Sequence, residues 1–547
     1  MAATGRSERV GGPYAWYVLG VLVVVYAFNF IDRSIIVTLA PYLKHDLGLS
    51  DAQLGLLFGT AFALFYALLG VPLARLADSW VRTRTMALGL ALWSAMTALS
   101  GFSGNFTQLG LARIGVGVGE ASASPAAYSL LSDWFPREKR ATALAIYSSG
   151  IYIGSGLSLV LGAVIVAAWT KAYPGATAPF GLKGWQAAFL AVGLPGLLLA
   201  VVVATMREPP RGQADGIVQP ADPAPFAKFW LELTAVVPPL TLLHLARLRV
   251  PAAEWRKNLG VAALLIGLAA AAVSLTDGLL VADKRKPLGA IGSFALTTNT
   301  IQWFAVALSL YGAFSWSQSL RLRDAPVHRL IWGTPAFVYT ALAGGLISYA
   351  SYGIGAFIFV YVTRLYPHDP IFHDDPVKIG LTLGFIAAGG GWLGTTLGGV
   401  FGDMLRRRHP SGRLWLALGA VVIALPAGVM AFVTRDLATM LLLYVVIVTV
   451  PTMWLGPCAT TCQDLVLPRM RGAATAAFFL GTNLIGLAMG PYMVGLISDA
   501  TGDLRLGLLS VYAGTPVVIF CLWRAIRLLP AAEASRIARA QASGEPI

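Results

Sequence analysis

Long apolar runs, broken only by short charged or Pro/Gly-rich stretches, limit what this chain can fold into. They cover 14–42, 51–77, 83–104, 107–132, 140–168 and 185–206, then 333–364, 377–403, 413–433, 437–462, 472–498 and 505–528. A helix rising about 1.5 Å per residue needs about 20 residues to cross a hydrocarbon core. Inside lipid the backbone must satisfy its own hydrogen bonds, which leaves helices or closed barrels. The runs are continuous rather than alternating, so a barrel is excluded. Of the 547 residues only 12% are charged and 57% are hydrophobic. That is about half the charge of a soluble domain, and it excludes a soluble enzyme, a disordered scaffold and a disulfide-built secreted module. The chain is expected to be an all-α polytopic membrane protein.

The runs fall into six, a gap and six, which predicts a six-helix bundle over 1–206, an insertion over 207–332, a second bundle over 333–530 and a tail over 531–547. The insertion is too long for a simple linker. It opens on Pro209, Pro210, Pro220, Pro223 and Pro225, continues through an interrupted amphipathic stretch from Phe226 to Val250, and holds two further runs, Leu259–Ala282 and Ser293–Trp316. Only an even number of crossings keeps the last six spans in register, so these two are read as a transmembrane hairpin, giving 14 spans. The alternative of 12 lays them on the inner leaflet, as the basic turn Lys284-Arg285-Lys286 would favour.

With the N-terminus inside, the short inner loops hold eleven basic residues and the outer loops seven. This bias predicts an inner or plasma membrane protein with both termini cytoplasmic. The net charge of +14 is read as loops facing anionic lipid, not as nucleic-acid binding. The start, with Arg6 and Arg9, runs into an apolar stretch too long for a signal peptide, so the first span is expected to be retained. Cys458, Cys462 and Cys521 are read as structural thiols, and no metal site or cofactor is expected. Gly115-x-Gly117-x-Gly119 lies inside an apolar run without a preceding strand and reads as close helix packing.

The two halves echo each other. Ala74-Arg75-Leu76-Ala77-Asp78, followed by Arg82 and Arg84, stands after span two, and Gly399-Val400-Phe401-Gly402-Asp403-Met404-Leu405-Arg406-Arg407 stands at the equivalent place in the second half. Pro136-Arg137-Glu138-Lys139-Arg140 is likewise matched by Pro468-Arg469-Met470-Arg471. An Asp at a helix end with basic residues beyond it can bridge to a neighbouring helix and break when the halves rock. The loop after span two resembles that of the major facilitator superfamily, Gly-x-x-x-Asp-Arg-x-Gly-Arg-Lys. Gly399, Asp403, Arg406 and Arg407 match it well, while the first copy keeps Asp78 and Arg82 but has Ala74, Ser79 and Val81 elsewhere. The resemblance implies two six-helix bundles with substrate between them, alternating access, and a gating role for these residues.

In the first half, Phe30-Ile31-Asp32-Arg33, Arg113-Ile114-Gly115-Val116-Gly117-Val118-Gly119-Glu120-Ala121 and Ser132-Asp133-Trp134-Phe135-Pro136 resemble the spinster family. That resemblance implies export of lysophospholipids or sphingolipids, with proton linkage in several members.

Asp32, Arg33, Arg113 and Glu120 lie within spans of the first half, and the second half has no counterpart. A charge at mid-membrane costs a few kcal/mol and needs a reason. Arg113 and Glu120, seven apart, share a helix face, and Asp32 falls between them in depth. A carboxylate whose distance to an arginine changes during rocking would bind and release a proton. The alternative is a permanent network that fixes packing. Tyr349, Tyr352, Phe357, Trp454, Phe478, Phe479 and Asn483 are candidates for a substrate wall suited to an acyl chain. The leading expectation is a secondary transporter, monomeric, using protons and membrane lipids as partners and moving an amphipathic or anionic substrate. A drug or metabolite proton antiporter and a non-transporting sensor are the alternatives, and an enzyme is not expected.

Overall fold

The computed structural model describes residues 10–546 apart from 175–176, 217–221, 286, 292–293 and 374. Arg6, Arg9, Pro220 and Lys286 therefore lie outside the described residues. Gly12 precedes a proline at the first helical position, which starts α1 (Pro13–Leu47), and Gly48 ends it in the left-handed conformation at φ 63°. Ser50 and Gln53 then form a capping box that opens α2, Asp51–Ser79, broken at Gly59. The first half continues with α3 (Arg82–Ser100), α4 (Phe106–Glu120 resumed as Ala123–Trp134), α5 (Arg137–Ala172) and α6 (Gly184–Thr205).

The insertion holds α7 (Pro225–Val236) and α8 (Leu240–Arg247), bent by 113° to one another, then α9 (Ala252–Asp277), a short antiparallel ribbon of β1 (Gly289–Ile291) and β2 (Phe294–Leu296), α10 (Thr298–Arg323) and α11 (Ala325–Trp332). The second half comprises α12 (Pro335–Leu365), α13 (Pro376–Arg408), α14 (Gly412–Val433), α15 (Leu437–Asp464), α16 (Pro468–Thr501) and α17 (Leu504–Ala534), with a tail helix α18 (Arg536–Gln541).

Among the described residues 11 helices are long and apolar enough to cross a membrane, or 12 if the bent pair α7–α8 counts as one. Those 11 leave out α3, α4 and α10. The break after Glu120 divides α4 into two short pieces, and α10 carries a buried polar stripe of Asn299, Gln302, Ser309, Ser315 and Ser319.

The halves meet along α2 against α16 and α5 against α13. Small residues set both contacts. A Cβ at Gly55 would collide with the Pro491 carbonyl, and one at Gly384 would stand 2.6 Å from the Gly156 carbonyl oxygen. The run Ser293–Trp316, read as one of the two extra spans, is corrected at its start: β2 occupies 294–296, and Thr297 caps α10 by accepting from the Thr300 N–H. α10 packs along α2 and reaches α16, with α9 beside it. At one end Asn299 accepts from the Tyr492 hydroxyl at 2.8 Å, and at the other Arg323 pairs with Glu232 at 3.0 Å.

Candidate functional site

The four charged residues of the first-half spans come together where α1 crosses α4. Arg33 donates through Nη2 (2.8 Å) and Nε (3.1 Å) to Glu120 Oε2, while its guanidinium lies 4.3 Å from the ring centre of Phe62 and 4.8 Å from that of Phe30. Such stacking suits a desolvated arginine. Arg113, on the same α4 face as Glu120, donates to the backbone carbonyls of Asp32 (3.0 Å) and Arg33 (2.8 Å). The ion pair is thus between Arg33 and Glu120, and Arg113 anchors α4 to α1.

Asp32, Arg113 and Glu120 are fully buried. Glu120 Oε1, Asp32 Oδ1 and Arg113 Nε have no hydrogen-bond partner among the described residues. Among the described residues Ser94 stands 3.5 Å from the Asp32 carboxylate, with Trp93 and Thr97 also facing it. Buried polar atoms are usually satisfied, which makes this cluster the candidate site. Tyr26 and Tyr147 stack at 4.3 Å, with Tyr128 edge-on to Tyr147 at 5.5 Å.

The candidate wall residues separate. Tyr352 packs on the first-half core beside Tyr66 and within electrostatic reach of Arg33. Phe479 is 40% exposed and Asn483 half-buried, so both keep an open side. Phe357 is corrected: it is fully buried against Phe58 at 5.6 Å and belongs to the contact between the halves. Trp454 and Phe478 fill the space beside Gly344, and Tyr349 packs against the core cluster that contains Phe357, so these three serve helix packing.

On the face bearing the chain termini, the repeated loop motifs are tied within each half. Arg82 is fully buried, pairs with Asp133 and Glu208 (2.6 Å to the latter), and donates to Pro209 O at 2.8 Å. Asp78, the other gating candidate of this loop, is exposed and makes no ion pair among the described residues. The acids that hold Arg82 come from the ends of α4 and α6. In the second half Arg413 joins Asp403 and Asp464, both at 2.7 Å, and Arg406 reaches Glu533 at 2.7 Å. Glu208 and Glu533, at the ends of α6 and α17, thus play matching parts. Gly399 and Arg407 are exposed, with Arg407 unpartnered among the described residues.

The bridge between halves lies on the opposite face, where Asp51 of α2 receives Arg364 of α12 (2.8 and 2.9 Å), Ser498 of α16 (2.7 Å) and Lys44 (2.6 Å). The carboxylate of Asp499 caps α2 by accepting the N–H groups of Asp51 (3.1 Å) and Ala52 (2.7 Å). This face is closed. Asp133 and Asp464 carried a readable signal, since each stands shortly before one of the paired Pro-Arg loops. Asp51 and Asp499 did not, because their partners are hundreds of residues away.

Two pseudo-repeated helical bundles, sealed at one face around a cluster of buried charges, define a membrane transporter with an alternating-access fold, not an enzyme. The sequence profile of the Major Facilitator Superfamily matches residues 22–491, and the chain belongs to that family. It is 27% identical over 530 residues, 95% of each chain, to an MFS-type efflux pump of Mycolicibacterium smegmatis. It is 28% identical over 216 residues to the protein spinster of Drosophila melanogaster, covering 40% of this chain and 32% of that one. A bacterial homolog of the human lysosomal transporter spinster, solved in an inward-facing and unoccupied conformation, superposes with a TM-score of 0.63 at 24% identity over 97% of both chains.

Proposed function

We propose that this chain moves a small amphipathic or organic anion by alternating access, with a proton bound and released at Glu120 once per cycle. The observation that carries the reading is the Arg33–Glu120 pair itself. It holds a carboxylate in a fully buried site with one oxygen bonded and the other orphaned. A change during the cycle that swings the Arg33 side chain away from Glu120 would leave a desolvated carboxylate, which takes up a proton. Closing restores the pair and expels it. Asp32, buried beside Ser94, Trp93 and Thr97, is the second proton-accepting group in this scheme. Tyr352, Phe479 and Asn483 line the substrate's path, and Arg113 or Arg33 receives its anionic end.

On this reading the termini are cytoplasmic and the α9–α10 hairpin crosses the membrane, making 14 spans in a monomer. The face closed by Asp51 and Arg364 is then the outer one. Purified protein in proteoliposomes with an imposed pH gradient tests the coupling: Glu120→Gln is expected to abolish gradient-driven uptake while exchange at equal pH persists. Uptake that follows the gradient undiminished in this variant rules the proton role out. Drug efflux is the second reading, supported by the near full-length relation to an efflux pump and by the aromatic group around Tyr26, Tyr128 and Tyr147.

A further inference from the structure

Between α9 and α10, at their ends on the terminal face, lies a cleft of about 480 Å³ whose rim is basic and whose floor is apolar. Arg256 and Lys257 come from the start of α9 and Arg321 from the last turn of α10, where the helix C-terminus adds partial negative charge that suits a cation. The acid nearest them, Glu254, is already taken by Arg321, by Lys257 at 3.3 Å and by Gln318 at 3.0 Å. Arg256 has no acidic partner among the described residues, so three cations share one carboxylate and the rim keeps a positive excess. At its edge His328 is held below the usual imidazole range, by burial first and then by Arg321 and Arg329. The walls below the rim are Val261, Leu264 and Phe314. They continue into the outer surface of α9, where Leu264, Ile266 and Leu268 are 59%, 55% and 56% exposed. Only 6% of the apolar window of α9 is buried, so this helix faces hydrocarbon.

We propose that this cleft binds an anionic phospholipid, its phosphate held by Arg256, Lys257 and Arg321 and one acyl chain laid along Val261, Leu264 and Phe314. Charge complementarity selects an anionic headgroup over a zwitterionic one, since basic groups at the membrane surface attract anionic lipid. The apolar walls select lipid over free phosphate, which would leave them unused and fill little of the cavity. The site is separate from the Arg33–Glu120 cluster and depends on neither the substrate nor the coupling proposed above.

Native mass spectrometry of the purified full chain, exchanged into detergent with equal mole fractions of phosphatidylglycerol and phosphatidylcholine, reads the preference directly. The native chain is expected to retain phosphatidylglycerol, and Arg256→Ala with Lys257→Ala is expected to lower that retention by at least about tenfold. Gly260→Trp is a second variant that leaves every charge in place. A Cβ there meets no atom within 4 Å and Gly260 lines the cleft, so the indole is expected to occupy it and exclude the lipid. Inorganic phosphate at millimolar concentration should neither raise the melting temperature nor displace the lipid. Equal retention of both lipids, retention unchanged in Gly260→Trp, or stabilisation by phosphate matching that by phosphatidylglycerol would overturn the proposal. A melting temperature of the variants equal to the native chain's in lipid-free detergent separates lost binding from lost folding.

Discussion

At the scale of single residues, Arg33 and Glu120 control the energetics of the first half. Each is costly in a membrane interior, and each cancels much of the other's cost through a 2.8 Å bond. Removing one partner therefore harms more than removing both. Arg33→Ala alone is expected to destabilise the purified protein by about 3 kcal/mol, and Arg33→Ala with Glu120→Ala by less. Thermal denaturation of the single and double variants in one detergent checks this, and a double variant less stable than both singles would contradict it. The sequence brought the four charges to one place because charges in apolar runs are conspicuous. Which arginine pairs with which acid was not legible. The seven-residue spacing put Arg113 on the face of Glu120, but the crossing of α1 and α4 decides the pairing, and it brings Arg33 nearer.

At the scale of elements, helix ends follow the apolar runs closely because the lipid interior and the caps act locally. Asp436, for instance, ends the loop before α15 by accepting the Thr439 N–H. Contacts between elements are harder to read. Arg469, seen in sequence as part of a repeated loop, ties α10 to the C-terminal tail by pairing with Asp324 at 2.8 Å and with Glu545. The hydrogen bond from Arg469 holds the Asp324 carboxyl below its usual range. A depressed carboxyl contributes stability that is complete above the unfolded value, near 3.8, and is lost as pH falls through the lower folded value. Arg469→Ala should then leave the tail more accessible to protease at neutral pH, and the difference from the native chain should shrink as the pH drops below that of the folded Asp324. A difference that persists into acid would show that the tail is held by other groups. The polar stripe on α10 was the readable sign that this helix has a protein neighbour: Asn299, Gln302, Ser309, Ser315 and Ser319 recur at near-helical spacing.

Over the whole molecule, the closed face is held by groups from both halves, with Asp51 and Arg364 separated by 313 residues. No local pattern encodes such a pair, which is why the sequence pointed instead to the loop motifs on the other face, where the described motif pairs stay within one half or tie it to the insertion and tail. Arg364→Ala removes the direct cross-bundle ion pair to Asp51, weakening the closed state by about 2 kcal/mol and shifting the equilibrium about thirtyfold toward opening. Spin labels at exposed Thr177 and Arg435 report it, since the three native cysteines are buried. The label separation should lengthen in the variant, and an unchanged distance distribution would remove Asp51 and Arg364 from the seal.

On the proposed topology, with the termini cytoplasmic and the hairpin crossing the membrane, the loop carrying Lys284 and Arg285 must be translocated against the usual retention of basic loops. In the finished protein Lys284 faces Asp499 at 3.8 Å. That acid is synthesised about 200 residues later, roughly 10–40 s after the hairpin at ordinary elongation rates. On that proposed topology the middle of the chain is secured retrospectively, when the second half arrives.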